Sequence, residues 1–308
     1  MKAAICDKYG PPEVIQIKEI DKPILKSNDL LIQVKATSVN SGDVRIRGLR
    51  VGDGVFGSLS GIIVRIVIGF RGPRKKVLGA VLSGIVEDIG DEVDKFKVGD
   101  EVYAMTGLRF GGFAEYAALS QNKAVALKPK TASHEEAASI LFGGTTALYF
   151  LRKAGIKKAK KVLIYGSSGA VGTSALQVAQ YYGAEITAVS GKDGLELSTK
   201  LGAIKTYDYM LQNLADINDK FDIVFDAVGK ISKKESQHLL KEDGEFITVG
   251  GMDVAKESPK DLEQLAEMFD KGSLVAVIDR TYTLDEIVEA HRYVDTGHKK
   301  GSVVVTVA

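Results

Sequence analysis

The sequence predicts an α/β protein, in which a doubly wound parallel sheet is joined to a β-rich antiparallel domain. Three observations carry that class. Near residue 161 a short apolar run, Val162–Tyr165, enters a cluster of glycines and then a segment with helical apolar spacing. Downstream of Gln121, buried-type strands alternate with helices. Upstream of it, short apolar runs alternate with turn signals.

The stretch Lys161–Ser190, KVLIYGSSGAVGTSALQVAQYYGAEITAVS, organises the rest. Val162, Leu163, Ile164 and Tyr165 read as a buried parallel strand that runs into Gly166, Gly169 and Gly172. The following helix places Val171, Ala175, Val178, Ala179 and Tyr182 on one face, and Gly183 stands where a helix stops. A β-branched run, Ile186–Val189, completes a strand–helix–strand unit. Such a turn brings the backbone N–H groups of Ser168, Gly169, Ala170, Val171 and Gly172 towards a pyrophosphate, because a Cβ at the glycines would block the approach. A glycine triplet alone is weak. In this setting it reads as dinucleotide binding, against a structural glycine turn without a ligand.

From the N-terminus, Ala3–Cys6, Ile15–Ile17 and Leu30–Val34 look like strands, separated by Pro11-Pro12 and Ser27-Asn28-Asp29. Val77–Ile89, Glu101–Met105 and Phe113–Ala118 continue the pattern. The basic loop Arg71–Lys76 reads as a solvated face rather than a phosphate clamp. Ser133 with Glu136 forms a capping box that opens a helix through Ala147. Beyond Ser190 come a helix at Leu195–Leu201, a strand at Lys205–Tyr209, a buried strand at Phe221–Val228, a helix at Lys233–Leu240 and a strand at Glu245–Val249. Ser258-Pro259-Lys260-Asp261 supplies an N-cap, a proline at the first helical position and an early acid for Leu262–Phe269. The chain closes with a strand at Leu274–Ile278, a helix capped by Thr283 and Glu286, and a strand at Ser302–Val307.

Composition excludes several classes. With 308 residues there is room for two domains, and 41 basic against 40 acidic residues give a net charge of +1, so neither nucleic acid nor another polyanion is an expected partner. The single cysteine, Cys6, rules out an intrachain disulfide and a multi-cysteine zinc knot. With no signal-peptide apolar region in MKAAICDKYG, this points to a cytoplasmic, reducing setting. The most lipophilic run, Gly61–Phe70, is too short to span a bilayer and carries Arg65, so no membrane is expected and the run reads as wall or lid of a site.

Ordered matches along the whole chain resemble the zinc-independent branch of the medium-chain dehydrogenase/reductase superfamily, the quinone oxidoreductase-like (zeta-crystallin-like) proteins. They are VNSGDVRIRG at Val39–Gly48, VLGAVLSGIVEDIG at Val77–Gly90, FKVGDEVYAM at Phe96–Met105, GGFAEYAAL at Gly111–Leu119, EEAASILFGGTTAL at Glu135–Leu148, the glycine turn, FDAVG at Phe225–Gly229 and EAHRYVDTGHKKGSVVV near the end. The resemblance implies a GroES-like substrate domain of residues 1–121 plus 275–308, with a Rossmann dinucleotide-binding domain of residues 122–274 inserted between. It also implies a site in the cleft. Relatives carry a further helix and strand after the fifth strand of the inserted domain. Here GGMDVAKESPKDLEQ leads almost directly to the next helix, so the sixth Rossmann strand is expected to be missing or rearranged, and a homodimer built through it is in doubt.

In zinc-bearing relatives a Cys, a His and an acid hold the metal. Those positions here are Asn40, Ala80 and Val81, which cannot form a zinc site, and His134, His238, His291 and His298 lack ligand spacing and read as surface or capping residues. No metal is expected. At the end of the second strand of the glycine-turn unit an NAD-binding protein has an acid for the adenine ribose. Ser190 stands there, followed by Gly191 and Lys192, which favours the 2′-phosphate of NADP(H) over NAD(H). The other reading makes Lys192 a solvated turn residue and gives the ribose to Asp193. The resemblance adds Tyr209 beside that phosphate, Val228 and Gly250 along the cofactor, and Thr146 at its nicotinamide end. A helix hydroxyl bonded to its own backbone is the competing role for Thr146.

Without a Lewis acid an alkoxide lacks stabilisation, whereas a quinone or an α,β-unsaturated carbonyl accepts hydride more readily. The resemblance puts Asn40 and Arg45 on the cleft. Asn40 can donate to a carbonyl, and Arg45 can steady a developing enolate or hydroquinone anion. Arg47 reads equally as a cofactor contact or a structural ion pair. The expected function is an NADPH-dependent reductase of quinones or enones. The alternatives are an enoyl-thioester reductase and a non-catalytic NADPH-binding protein.

Overall fold

The structure, a computed structural model, describes residues 1–49, 66, 68–251 and 253–307. The chain divides into two compact units: Met1–Ser139 with Ile278–Ala308, and Ile140–Val277. Most of the lipophilic run Gly61–Phe70 lies outside the described residues; within it Ile68 is buried while Ile66 and Phe70 are exposed.

In the first unit β1 (Lys2–Cys6) and β2 (Ile15–Glu19) form an antiparallel ribbon. A larger sheet is built on the long strand β3 (Asp29–Val39), which pairs antiparallel with β4 (Val81–Ile89) and β6 (Tyr116–Ser120). Beyond β4 lie β5 (Glu101–Met105) and β7 (Val125–Leu127). On the other side of β3 the chain returns as β14 (Ser302–Thr306), with β13 (Ile278–Thr283) outermost. The sheet is not wholly antiparallel, because β13 runs parallel to β14. Leu30, Ile32, Val34, Leu82, Val86 and Leu119 fill one core; Phe113, Leu78, Ile287 and Val303 belong to another.

The first helix, α1 (Ser41–Gly48), follows β3 directly, and α7 (Ile287–Asp295) precedes β14. The helix α2 (His134–Lys153) opens with the expected box: Ser133 N–H donates to Glu136 Oε2 at 2.8 Å, and Glu136 N–H to Ser133 Oγ at 3.1 Å. The dividing line of the two units falls within α2.

The second unit is a five-stranded, all-parallel sheet of β8 (Lys161–Tyr165), β9 (Glu185–Ser190), β10 (Lys205–Asp208), β11 (Phe221–Asp226) and β12 (Leu240–Thr248). The spatial order is β10-β9-β8-β11-β12. Succession runs outward from β8 through β9 to β10, then resumes at β11 on its other side, so the direction switches between β8 and β11. Among the described residues no sixth strand extends the sheet beyond β12. Its helices are α3 (Ala170–Tyr181), α4 (Lys192–Lys200), the short α5 (Lys233–Ser236) and α6 (Pro259–Asp270). The expected helix at Lys233–Leu240 is thus one turn of α-helix followed by a 3-10 turn, Gln237–Leu239.

The glycine pair of GGTTAL lets α2 approach two helices. A Cβ on Gly143 would lie 2.2 Å from the Ala170 carbonyl oxygen at the start of α3, and one on Gly144 would lie 2.7 Å from Leu265 of α6.

Two further expectations need correction. The strand expected over Leu274–Ile278 begins only at Ile278. The Gln177 side chain on α3 takes the Val275 N–H at 2.7 Å and donates to the Val275 carbonyl at 3.2 Å, so an amide side chain satisfies backbone groups that a strand neighbour would otherwise pair. His291, expected at the surface or in a cap, is wholly buried. The Arg47 guanidinium donates to its Nδ1 at 3.2 Å and to Asp295 Oδ2 at 2.5 Å, so Arg47 is a structural ion-pair residue.

Candidate functional site

In the second unit the strand ends converge as the sequence expects. Gly166 adopts φ +78°, a conformation that side chains resist, and a Cβ there would meet Val228 at 2.4 Å. A Cβ on Gly172 would lie 2.1 Å from the Gly166 carbonyl oxygen, so this glycine is demanded by helix–strand packing. Gly169 differs. It is the N-cap of α3 in extended conformation with φ −77°, and its Cβ would meet nothing closer than 3.8 Å. Nothing in the protein requires a glycine there. A group approaching from outside would.

Gly169 gives α3 no side-chain cap, and the amides of Ala170, Val171 and Gly172 belong to the first turn, where intrahelical partners are lacking. Ser168 flanks the turn, and a Cβ on Gly194 of α4 would meet its side chain at 2.5 Å. The turn therefore offers unpaired donors at the positive end of a helix dipole, with open space at its glycine cap, which fits a dinucleotide pyrophosphate.

Across the switch point stand Val228, Gly229 and Gly250. A Cβ on Gly229 would lie 2.8 Å from the Gly250 Cα, so the loops after β11 and β12 run in contact. They are held by Asp226, which sequence reasoning missed. Its buried carboxylate accepts from the backbone of Val228 (3.3 Å), Gly229 (2.9 Å), Lys230 (3.2 Å) and Ile231 (3.3 Å), and from the Thr248 hydroxyl at 2.8 Å.

Ser190, Gly191, Lys192 and Tyr209 form one corner. Gly191 is the N-cap of α4 without a side-chain cap, and a Cβ on it would lie 3.2 Å from the Tyr209 hydroxyl. The Tyr209 N–H donates to the Ser190 carbonyl at 3.1 Å, and the buried Ser190 hydroxyl donates to the Gly191 carbonyl at 3.1 Å. Lys192 is exposed in the first turn of α4. Thr146 is buried on α2, its hydroxyl donating to the Phe142 carbonyl at 2.7 Å; its lone pairs remain available to an external donor.

In the first unit Asn40 caps α1. Its Oδ1 accepts from Gly42 N at 2.8 Å and Asp43 N at 3.1 Å, while Asp43 Oδ2 accepts the Asn40 N–H at 3.0 Å. Pinning Oδ1 fixes the amide's orientation. Nδ2 is buried and has no partner among the described residues, an arrangement that costs about 1–3 kcal/mol unless something completes it. Burial pushes the Asp43 carboxyl up to about 7, although the amides of Asn40, Ala80 and Gly79 work against the rise. Its Oδ1 nevertheless lacks a partner of good geometry. Arg45 is exposed on α1. Ala80 and Val81, in the positions of metal ligands in zinc-bearing relatives, precede and begin β4. Among the described residues no group of three or more His, Cys, Asp or Glu could hold a metal ion. Of the Arg71–Lys76 loop, Arg71, Arg74 and Lys75 are exposed and Lys76 pairs with Asp7 at 2.7 Å. No described helix is long and apolar enough to cross a membrane.

Comparison with known proteins adds independent findings. Residues 26–130 match the alcohol dehydrogenase GroES-like domain, and residues 170–289 match the zinc-binding dehydrogenase family. The chain is 32% identical to a 2-methylene-furan-3-one reductase of Solanum lycopersicum, over 99% of this chain and 79% of that protein. It is 30% identical to an NADPH-dependent alkenal/one oxidoreductase of Arabidopsis thaliana, with the same coverage. The structure of a quinone oxidoreductase from Coxiella burnetii superposes with a TM-score of 0.86 at 27% identity, covering 100% of this chain and 99% of that one.

Proposed function

This chain belongs to the medium-chain dehydrogenase/reductase superfamily, in its zinc-independent, quinone oxidoreductase-like branch, and on that premise we propose that it is an NADPH-dependent reductase of enones or quinones that works without a metal ion. The observation that carries this reading is Asn40. Where a zinc-bearing relative has a ligand, this chain has a buried amide with one end fixed and an N–H donor unmatched. A carbonyl oxygen that gains negative charge would be stabilised by that donor, and Arg45 adds a cation on the same helix. Residues 1–121 with 275–308 serve as the substrate domain, and residues 122–274 hold the dinucleotide.

Bound NADPH supplies the hydride; the protein's part is to hold and orient. The amides of Ala170, Val171 and Gly172 receive the pyrophosphate. Thr146 accepts a hydrogen bond from the carboxamide, and Val228 and Gly250 border the cofactor at the switch point. Ser190, Lys192 and Tyr209 take the 2′-phosphate. No carboxylate occupies position 190, and the uncapped N-terminus of α4 favours an anion. Asp193, one residue further along α4, is the remaining competitor for a ribose. Cys6 is a buried thiol that burial pushes up to about 11, which keeps it protonated and unreactive.

The test is NADPH oxidation by the purified protein against quinones, 2-alkenals and enones, and enoyl thioesters. Turnover of the first two classes, with no dependence on added zinc or chelator, is the expected result. Turnover confined to thioesters would replace the substrate assignment. Tight NADPH binding with no turnover of any acceptor would make the protein a binding protein rather than an enzyme.

A further inference from the structure

Reciprocal capping boxes are common in this chain, and they are cheap. Ser133–Glu136, Ser232–Glu235, Ser258–Asp261 and Thr283–Glu286 all close on hydroxyls near the surface. Asn213–Asp216 even uses the residue types found at α1, with both side chains exposed. Capping alone therefore gives no reason to bury an Asn and an Asp. Yet Asn40 is 4% exposed and Asp43 is 1% exposed, and the box leaves Asn40 Nδ2 unmatched. A buried carboxylate and a buried orphan donor are both costly, and such costs concentrate where geometry serves a reaction.

We propose that Asp43 is a positioning residue: its carboxylate holds the Asn40 backbone so that the amide presents Nδ2 as a donor, and protonation of Asp43 loosens that hold. The inference rests on the reading of Asn40 given above.

Among the described residues the surroundings leave Asp43 to titrate on its own. Arg47, on the same helix, is occupied by Asp295 and His291 of α7. His291 stays neutral, since burial and the neighbouring Arg47 hold it down at about 3. Arg45 is exposed. From the strand side Gly79 and Ala80 contribute backbone amides, and on that same segment the carbonyls of Val81 and Gly79 take the hydroxyls of Thr37 and Thr106. Burial dominates, and the folded Asp43 releases its proton at about pH 7.

Two pH trends of opposite sign follow. The carboxyl takes up its proton at higher pH in the folded state than in the unfolded chain, where it titrates at about 3.9. Stability from this group is therefore fully present below about pH 4 and is lost as pH rises towards 7. Activity should rise over the upper part of that window, as the carboxylate forms. A purely structural cap would move both the same way.

The experiment compares wild type, Asp43→Asn and Asn40→Ser; serine keeps an N-cap acceptor without the amide donor. It measures kcat and KM for NADPH-dependent enone reduction from pH 5 to 9, and thermal unfolding of the ligand-free protein over pH 4 to 9. Wild-type kcat should climb about tenfold through a step near pH 7 at nearly constant KM, the effect of one well-aligned hydrogen bond. Asp43→Asn should lose the step, run at the low-pH plateau, and unfold at a higher temperature than wild type at pH 8 but not at pH 4. A step that survives in Asp43→Asn, or kcat and stability falling together, overturns the inference. If Asn40→Ser keeps full kcat, the donor reading itself fails. If Asn40→Ser loses kcat while Asp43→Asn keeps the step, only the role of Asp43 fails. Should Asp43→Asn not fold, the 13C-carboxyl titration of Asp43 in the wild-type protein decides, and a midpoint below about pH 5 overturns the inference.

Discussion

The helices α3 and α4 of the second unit begin on Gly169 and Gly191, which offer nothing to the first-turn amides, whereas α1 of the first unit begins on Asn40, whose side chain takes two of them. The bare ends keep backbone donors and a positive dipole for an anion. The capped end spends two of its backbone donors and in exchange fixes a side-chain donor. A delocalised pyrophosphate suits the first arrangement. A single developing oxyanion suits the second, because one aimed N–H discriminates by position rather than by charge.

That contrast can be broken in graded steps. The largest effect should come from Gly172→Val. The new side chain would collide with the Gly166 carbonyl and Ser167, so unfolding should become easier by roughly 3 kcal/mol or more in denaturant titration, and nucleotide binding should vanish with the turn. Next, Lys192→Glu should weaken NADPH by roughly 10–100-fold while NADH changes only about two- to threefold, as read by fluorescence titration. Equal loss for both nucleotides would remove the phosphate from this corner. Gly169→Ala sharpens the comparison most. Its Cβ would meet only the Gly166 carbonyl oxygen, at an ordinary 3.8 Å, and its φ is ordinary, so the loss of stability should stay within about 1 kcal/mol, the cost of alanine at an N-cap. Affinity for the dinucleotide should nevertheless fall about tenfold, and unchanged affinity would mean that no ligand passes close to this cap.

Legibility followed the range of the interaction. The glycine turn, the five parallel strands and the serine and threonine boxes were readable because each depends on residues close in sequence: period, turn chemistry, a cap and its partner three residues on. The Arg47–His291–Asp295 cluster joins positions up to 248 apart, and no local pattern marks it. The late start of β13 depends on a side chain 98 residues away, Gln177. The helix α1 was not read from the sequence, since VNSGDVRIRG has few apolar residues; the Asn40–Asp43 spacing, equivalent to the Ser–Glu boxes elsewhere, is the signal that marks its start. At the site, residue types were readable, but the direction in which the Asn40 amide points was not, because it depends on which atom the cap consumes.

The Asp226 carboxylate gathers four successive amides and the Thr248 hydroxyl onto one side chain. The course of the segment from Val228 to Ile231 is thereby written in main-chain bonds to a single anchor and, apart from Gly229, which the Gly250 backbone crowds, not in the identity of the residues along it. Divergent copies of such a chain can exchange the side chains at Val228, Lys230 and Ile231 while the rail on which they are mounted keeps its path.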